Sequence, residues 1–271
     1  MSSALEKGLS VASFLAMRPD GASISEISQA LGLPLSGVHR LLKELETLGY
    51  VRQVRDQGDY ALSLKLATIG LTFLAQTGIP DLSQPILDRL AARSGELVRL
   101  ALADGEDLAW VGVAQGATSG LRYDPGAEQG QVVHLASAAG GHAWLSAMSD
   151  EAAVAAVMRQ GLERPGAGPA APRKLDELMQ AIARARAAGH AICTDSFIPG
   201  MAAIAMLIRH PDSGLPIGTV SIAGPAVRAT PERLESMAPD LAAAAEELSQ
   251  ASRASRAFSR HFQAADTRRR A

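Results

Sequence analysis

The sequence predicts an α+β chain in two parts: a small three-helix unit closed by a hairpin, then a larger unit of antiparallel strands with helices before, between and after them. Three observations carry this. Two capping boxes open the first helices, an apolar stripe at helical spacing follows them, and beyond residue 80 apolar runs of strand length take over, two of them joined by a turn signal.

Ser3-x-x-Glu6 opens the first helix, with Leu5, Leu9, Ala12 and Leu15 expected on its inner face, and Pro19-Asp20-Gly21 breaks it. Ser23-x-x-Glu26 opens the second, with Ile24, Ile27 and Leu31 on one face. In Gly32-Leu33-Pro34 the glycine suits a left-handed cap and the proline the next helix's first turn. The third helix turns Val38, Leu41, Leu42, Leu45 and Leu48 inward and ends at Gly49. Tyr50-Val51-Arg52 and Tyr60-Ala61-Leu62 then flank the polar segment Arg55-Asp56-Gln57-Gly58-Asp59, which reads as a hairpin. Helix, capped helix, glycine turn, helix and hairpin is the order of a winged helix-turn-helix.

Residues 65–77, with Leu66, Ile69, Gly70, Phe73 and Leu74, read as a connecting helix stopped by Ile79-Pro80. A helix around Ile86-Leu87 and Leu90-Ala91 follows. Leu97–Leu102 and Leu108–Val113 read as two strands around Asp104-Gly105. Further strands are expected at 120–123, 132–135, 190–194, 203–209 and 216–223, and helices at 141–148, 151–160, 174–188 and 231–250. Residues 161–172, rich in Gly, Ala and Pro, read as an exposed loop. The expected organisation is 1–64 for the helix-turn-helix, 65–79 for the linker helix, 80–252 for the second domain and 253–271 for a basic tail.

Composition narrows the function. The 271 residues are 47% hydrophobic and 20% charged, enough to bury a core. Aromatics are 4%, which argues against base-stacking platforms. The single cysteine, Cys193, excludes an internal disulfide and a multi-cysteine zinc site; no metal or cofactor is expected. No signal peptide is legible and no run reaches about 18 apolar residues, so a soluble, cytoplasmic protein without a membrane partner is expected. The net charge of −2 means that contact with nucleic acid must come from a local patch.

The third helix offers one. Ser36, His39, Arg40 and Lys43 form a polar stripe opposite the leucines. Arginine can read guanine bidentately, and serine and lysine can hold phosphates. Arg52 stands where a wing would meet the DNA backbone or minor groove. A solvated helix face is the other reading of the stripe, and residues 1–75 carry seven Lys/Arg against seven Asp/Glu, so any steering must be local. The surrounding three-helix-plus-hairpin order favours DNA.

At this point the chain resembles IclR-type transcriptional regulators. The likeness runs through Ser3-Ala-Leu-Glu-Lys-Gly-Leu-Ser-Val, Ser25–Val51, Tyr60–Leu66 and Ala138-Ala-Gly-Gly-His-Ala-Trp-Leu145. It continues in Ala185–Ala191, Pro199–Ala205 and Val220-Ser-Ile-Ala-Gly-Pro225. The resemblance implies a winged helix-turn-helix, a linker helix and a GAF-like effector domain, in dimers or tetramers bound to inverted-repeat double-stranded DNA operators. Gly37 stands where the family usually has threonine, which removes one possible contact. The pocket positions that the resemblance implies are Val133, Ala139, Gly140, Cys193, Ala203, Ser221 and Ala223. Cys193 stands where some members have Asp, Ala203 where some have Cys, and Ser221 and Ala223 where some have two serines. One hydroxyl remains, so a more apolar, for instance aromatic, acid is expected over a small oxo-acid.

The residues at Ala139-Gly140-Gly141 read either as helix N–H groups for a carboxylate or as close helix packing. Arg122 is a candidate carboxylate partner or a surface arginine; His134 and His142 read as structural or exposed. No catalytic motif appears: there is no Gly-x-Ser-x-Gly, His-Glu-x-x-His or phosphate-binding Gly-x-x-x-x-Gly-Lys. His190 and Cys193, three apart on a strand, point to opposite faces, although the fold can bring another histidine to the thiol. No catalytic residue is expected. A sensor module without DNA binding, or an enzyme acting on a small acid through the second domain, remain the alternatives. The arginines of the tail, Arg256 to Arg270, read first as a solvated, flexible basic terminus, and a contribution to nonspecific DNA affinity is the secondary reading.

Overall fold

The computed structural model describes residues 3–54, 58–105, 107–125, 128 and 130–255. The chain forms two compact units, Met1–Gln76 and Thr77–Ala271. The Arg55-Asp56-Gln57 part of the expected hairpin loop and the tail arginines lie outside the described residues.

In the first unit, α1 (Ala4–Ala16) and α2 (Ile24–Leu31) both start in complete capping boxes, Ser3 with Glu6 and Ser23 with Glu26. Each box satisfies two N–H groups that a helix start would leave bare. Gly32 caps α2 at φ +63, a conformation costly for a side chain with a Cβ, and the chain turns into α3 (Leu35–Thr47). Strands β1 (Val51–Gln53) and β2 (Tyr60–Leu62) pair antiparallel, Arg52 facing Ala61. Val11, Leu15, Ile27, Val38, Leu42, Val51 and Tyr60 make one core. Each large side chain there contributes about 1.5–3 kcal/mol by leaving water. The inner face of α1 is rotated from the expected stripe. Val11, Ala12 and Leu15 are buried, whereas Leu5 is 73% exposed and Leu9 is also exposed. Leu48, past the end of α3, is exposed too. Helix α4 (Lys65–Thr77) follows.

In the second unit the expected stop at Ile79-Pro80 is instead a start. Gly78, at φ +70, makes the break, and Pro80 sits in the first turn of α5 (Ile79–Ser94), where its missing N–H costs nothing. Five antiparallel strands form one sheet in the order β4-β3-β7-β6-β5. They are β3 (Leu97–Asp104), β4 (Asp107–Gln115), β5 (Ala191–Thr194), β6 (Met201–Arg209) and β7 (Pro216–Pro225). One face, with Val98, Leu100, Ile204, Val220 and Ile222, packs with Leu87 and Leu90 of α5 and with Leu241 and Ala244 of α10 (Ala238–Ser252). Residues 231–250, expected as one helix, are α9 (Pro231–Ser236) and α10, separated at Met237.

The other face lies against α6 (Ala139–Leu145) and α8 (Leu175–Ala188); α7 (Asp150–Gln160) comes between them in the chain. Residues 120–123 and 132–135 are not strands. Gly120 and Gly130 have positive φ, and the chain at 130–133 instead lays isolated bonds along β4, Trp110 N–H to Gln131 O at 3.0 Å and Val133 N–H to Leu108 O at 2.8 Å. That segment covers an edge of the sheet, which would otherwise present bare backbone groups. The loop at 161–172 is also tied down: Gly168 is buried and donates to Ser196 O at 2.8 Å.

Candidate functional site

The first site is the outer face of α3. Val38, Leu41 and Leu42 hold its inner face in the core, so helical periodicity carries Ser36, His39, Arg40 and Lys43 outward, all exposed. Gly37 is half-buried and Arg52 exposed on β1. Lys43 Nζ pairs with Glu46 at 2.7 Å, and that partner holds the ammonium pKa above its ordinary value. The two residues are one helix turn apart, Lys43 exposed and Glu46 half-buried, so the pair is weak and can exchange its carboxylate for a phosphate.

The second site is the sheet face under α6. Strand register sets its rows. Leu97, Ala223, Ala203 and Cys193 lie side by side across four strands; Arg99, Ser221, Ala205 and Ala191 form the next row. Small residues leave room for α6 to come close. A Cβ on Gly140 would stand 3.1 Å from Thr219 Oγ1 and 4.0 Å from Val133 Cγ1. A Cβ on Gly141 would fall 2.4 Å from Leu135 O, an impossible contact. The glycine pair is thus explained by close packing. The structure brings Ala139, Cys193 and Ala203 into one cluster, and Gly140 to Val133. Arg122 does not join them: its side chain is 49% exposed and faces Asp124 at 3.7 Å.

The fold does bring a histidine to Cys193. His142 Nδ1 lies 3.3 Å from Cys193 Sγ, and its Nε2 lies 2.7 Å from Ala136 O. A carbonyl only accepts, so Nε2 carries the proton and the thiol donates to Nδ1. Burial lowers the His142 pKa and pushes the thiol up to about 12. The pair is therefore neutral thiol and neutral imidazole, the reverse of an activated nucleophile. His134 Nδ1 bonds the Ser137 hydroxyl at 2.8 Å.

Sequence reasoning missed the main charged feature. Arg99, in the middle of β3, is 5% exposed. Its guanidinium lies 4.6 Å from the Trp110 ring centroid and 5.8 Å from those of Tyr123 and Phe197. Arg99 Nη1 bonds Glu128 Oε2 at 2.6 Å, and the Tyr123 hydroxyl bonds Glu128 Oε1. Burial lowers the arginine pKa, against the opposing pull of Glu128. Desolvation and the bond to Glu128 raise that of Tyr123. The available signal was an arginine inside the apolar strand Leu97-Val98-Arg99-Leu100, since such a charge is almost never buried without a purpose.

A helix-turn-helix whose last helix carries an exposed polar stripe, followed by a sheet unit with an arginine buried on one face, fits the class of DNA-binding transcriptional regulators. Known proteins agree. The IclR helix-turn-helix domain matches residues 4–55, and the bacterial transcriptional regulator IclR C-terminal domain matches residues 71–250. The chain belongs to the IclR family. It is 31% identical over 233 residues to the HTH-type transcriptional repressor AllR of Klebsiella pneumoniae, covering 86% of this chain and 84% of that one. An IclR-type regulator from a Silicibacter species superposes with a TM-score of 0.74 at 24% identity, over 92% of this chain and 95% of that one. An IclR homologue of Microbacterium hydrocarbonoxydans, crystallised with 4-hydroxybenzoate, gives a TM-score of 0.70 at 21% identity, over 93% and 100%. Among the described residues no helix is long and apolar enough to cross a membrane.

Proposed function

We propose that the protein is an effector-responsive regulator acting in the cytoplasm without catalysis. Residues 1–64 bind an inverted-repeat operator, residues 65–79 link, and residues 80–252 hold a small carboxylic acid that biases DNA binding. Ser36, Gly37, His39 and Arg40 approach the base edges; Lys43 and Arg52 hold phosphates. The observation that carries this is the α3 stripe, exposed opposite a buried Val38, Leu41 and Leu42. The acid lies on the sheet face of Ser221, Ala203, Ala223 and Cys193, beside Val133, Ala139 and Gly140, with buried Arg99 rather than Arg122 as its cation. The aromatic rings around Arg99 favour an aromatic acid, and the relative crystallised with 4-hydroxybenzoate supports that class. Self-association, as dimer or tetramer, is supported by α4, which exposes Ile69, Leu71 and Phe73.

A gel shift with DNA upstream of the protein's own gene, in excess nonspecific competitor and at varied salt, tests the DNA half. A discrete, competitor-resistant complex that benzoate weakens or strengthens is expected. Salt-insensitive or absent association across a genomic fragment library would refute it.

A further inference from the structure

Arg99 already has a carboxylate on it. Glu128 is gripped at both oxygens, Oε2 by Arg99 Nη1 at 2.6 Å and Oε1 by the Tyr123 hydroxyl. A guanidinium and a phenol closing on one carboxylate make a receptor for carboxylic acids, and here the chain supplies the acid itself. The grip is incomplete. Arg99 Nε is buried without an acceptor among the described residues. Buried donors are normally satisfied, so a bare one on a guanidinium set among aromatic rings calls for an acceptor that Glu128 does not supply. Among the described residues, the backbone bonds of Glu128 run to Pro125 and from Gln131, within one turn. Its carboxylate can leave without breaking a strand bond.

We propose that Glu128 is a resident occupant of the carboxylate subsite, and that the effector binds by taking its place on Arg99 and Tyr123. This rests on reading the second unit as an acid-binding one. The exchange fixes the ligand's charge. One carboxylate enters as one leaves, so a monocarboxylate keeps the buried guanidinium neutralised. A dicarboxylate brings a second charge that no departing carboxylate balances, and the other cation at these rings, Arg164, 4.1 Å from the Phe197 centroid, already donates to Phe197 O at 2.8 Å. The exchange also sets sensitivity, because apparent affinity falls by the fraction of chains in which Glu128 has withdrawn.

Calorimetry on the full chain tests this, with acetate as the bare carboxylate, benzoate as a monocarboxylate and terephthalate as its dianionic counterpart. Glu128→Gln is expected to bind acetate and benzoate at least tenfold more tightly than the parent. Adding Arg99→Gln is expected to remove that gain, and terephthalate to bind more weakly than benzoate throughout. If Glu128→Gln fails to fold, Glu128→Asp, which keeps the charge but draws it back from Arg99, is expected to gain affinity in the same direction. A parent that binds benzoate with a variant that binds no better overturns the displacement while the acid-binding reading stands. Failure of the parent and of the folded Glu128 variant to bind acetate or benzoate overturns both.

Discussion

Arg40 and Arg99 are the same side chain in opposite settings. Arg40 is exposed on α3, opposite a row of buried leucines. Arg99 is buried in β3 between aromatic rings, against Glu128. The first pays little to fold and is free to meet DNA. The second is desolvated on folding and depends on its carboxylate, since a buried charge without a partner is strongly destabilising. If the proposed roles hold, exposure separates recognition from stability on α3, whereas on the sheet face the two are tied together.

The contrast can be tested from its strong end. Arg99→Ala is expected to lower stability by about 3–5 kcal/mol, because the largely buried Glu128 carboxylate loses its cation and keeps the Tyr123 hydroxyl. Urea unfolding of both proteins reads it, and a loss under about 1 kcal/mol would mean that the pair is effectively solvated. Gly141→Ala is next, with an expected loss of about 1–3 kcal/mol as α6 is pushed from Leu135. It sharpens the contrast by disturbing the sheet face without touching a charge, so operator affinity in the folded fraction is expected to hold. Arg40→Ala is expected to cost about 1–3 kcal/mol of operator affinity, with stability unchanged within about 0.5 kcal/mol. Equal weakening on operator and random DNA would make Arg40 a phosphate contact. Lys43→Ala is the smallest: a uniform loss across sequences, with the salt slope reduced by about one.

What was legible in the sequence follows the range of the interaction. The capping boxes at Ser3 and Ser23 are contacts within four residues, and both form as expected. The polar stripe of α3 follows from periodicity alone. The inner face of α1 did not, since Leu5 and Leu9 have the right spacing but the core selects Val11 and Leu15. Pro80 was misplaced because proline ends one helix and begins the next with equal ease, and Gly78 decides between them. The sheet face was harder still. His142 meets Cys193 across 51 residues, and Arg99 meets Glu128 across 29. No local pattern encodes either meeting, although an arginine inside an apolar strand does announce that a partner must exist.

The guanidinium resting against Trp110 has an optical consequence. An indole's emission depends on the charge and polarity beside it, and Trp110 is 5% exposed, shielded from solvent noise. The chain has two tryptophans, so Trp144→Phe leaves Trp110 as the sole indole, read apart from the three tyrosines by excitation at the red edge of the absorption band. Any acid that settles on Arg99 then announces itself as a change in colour or intensity, and the protein carries its own built-in dye for screening effectors.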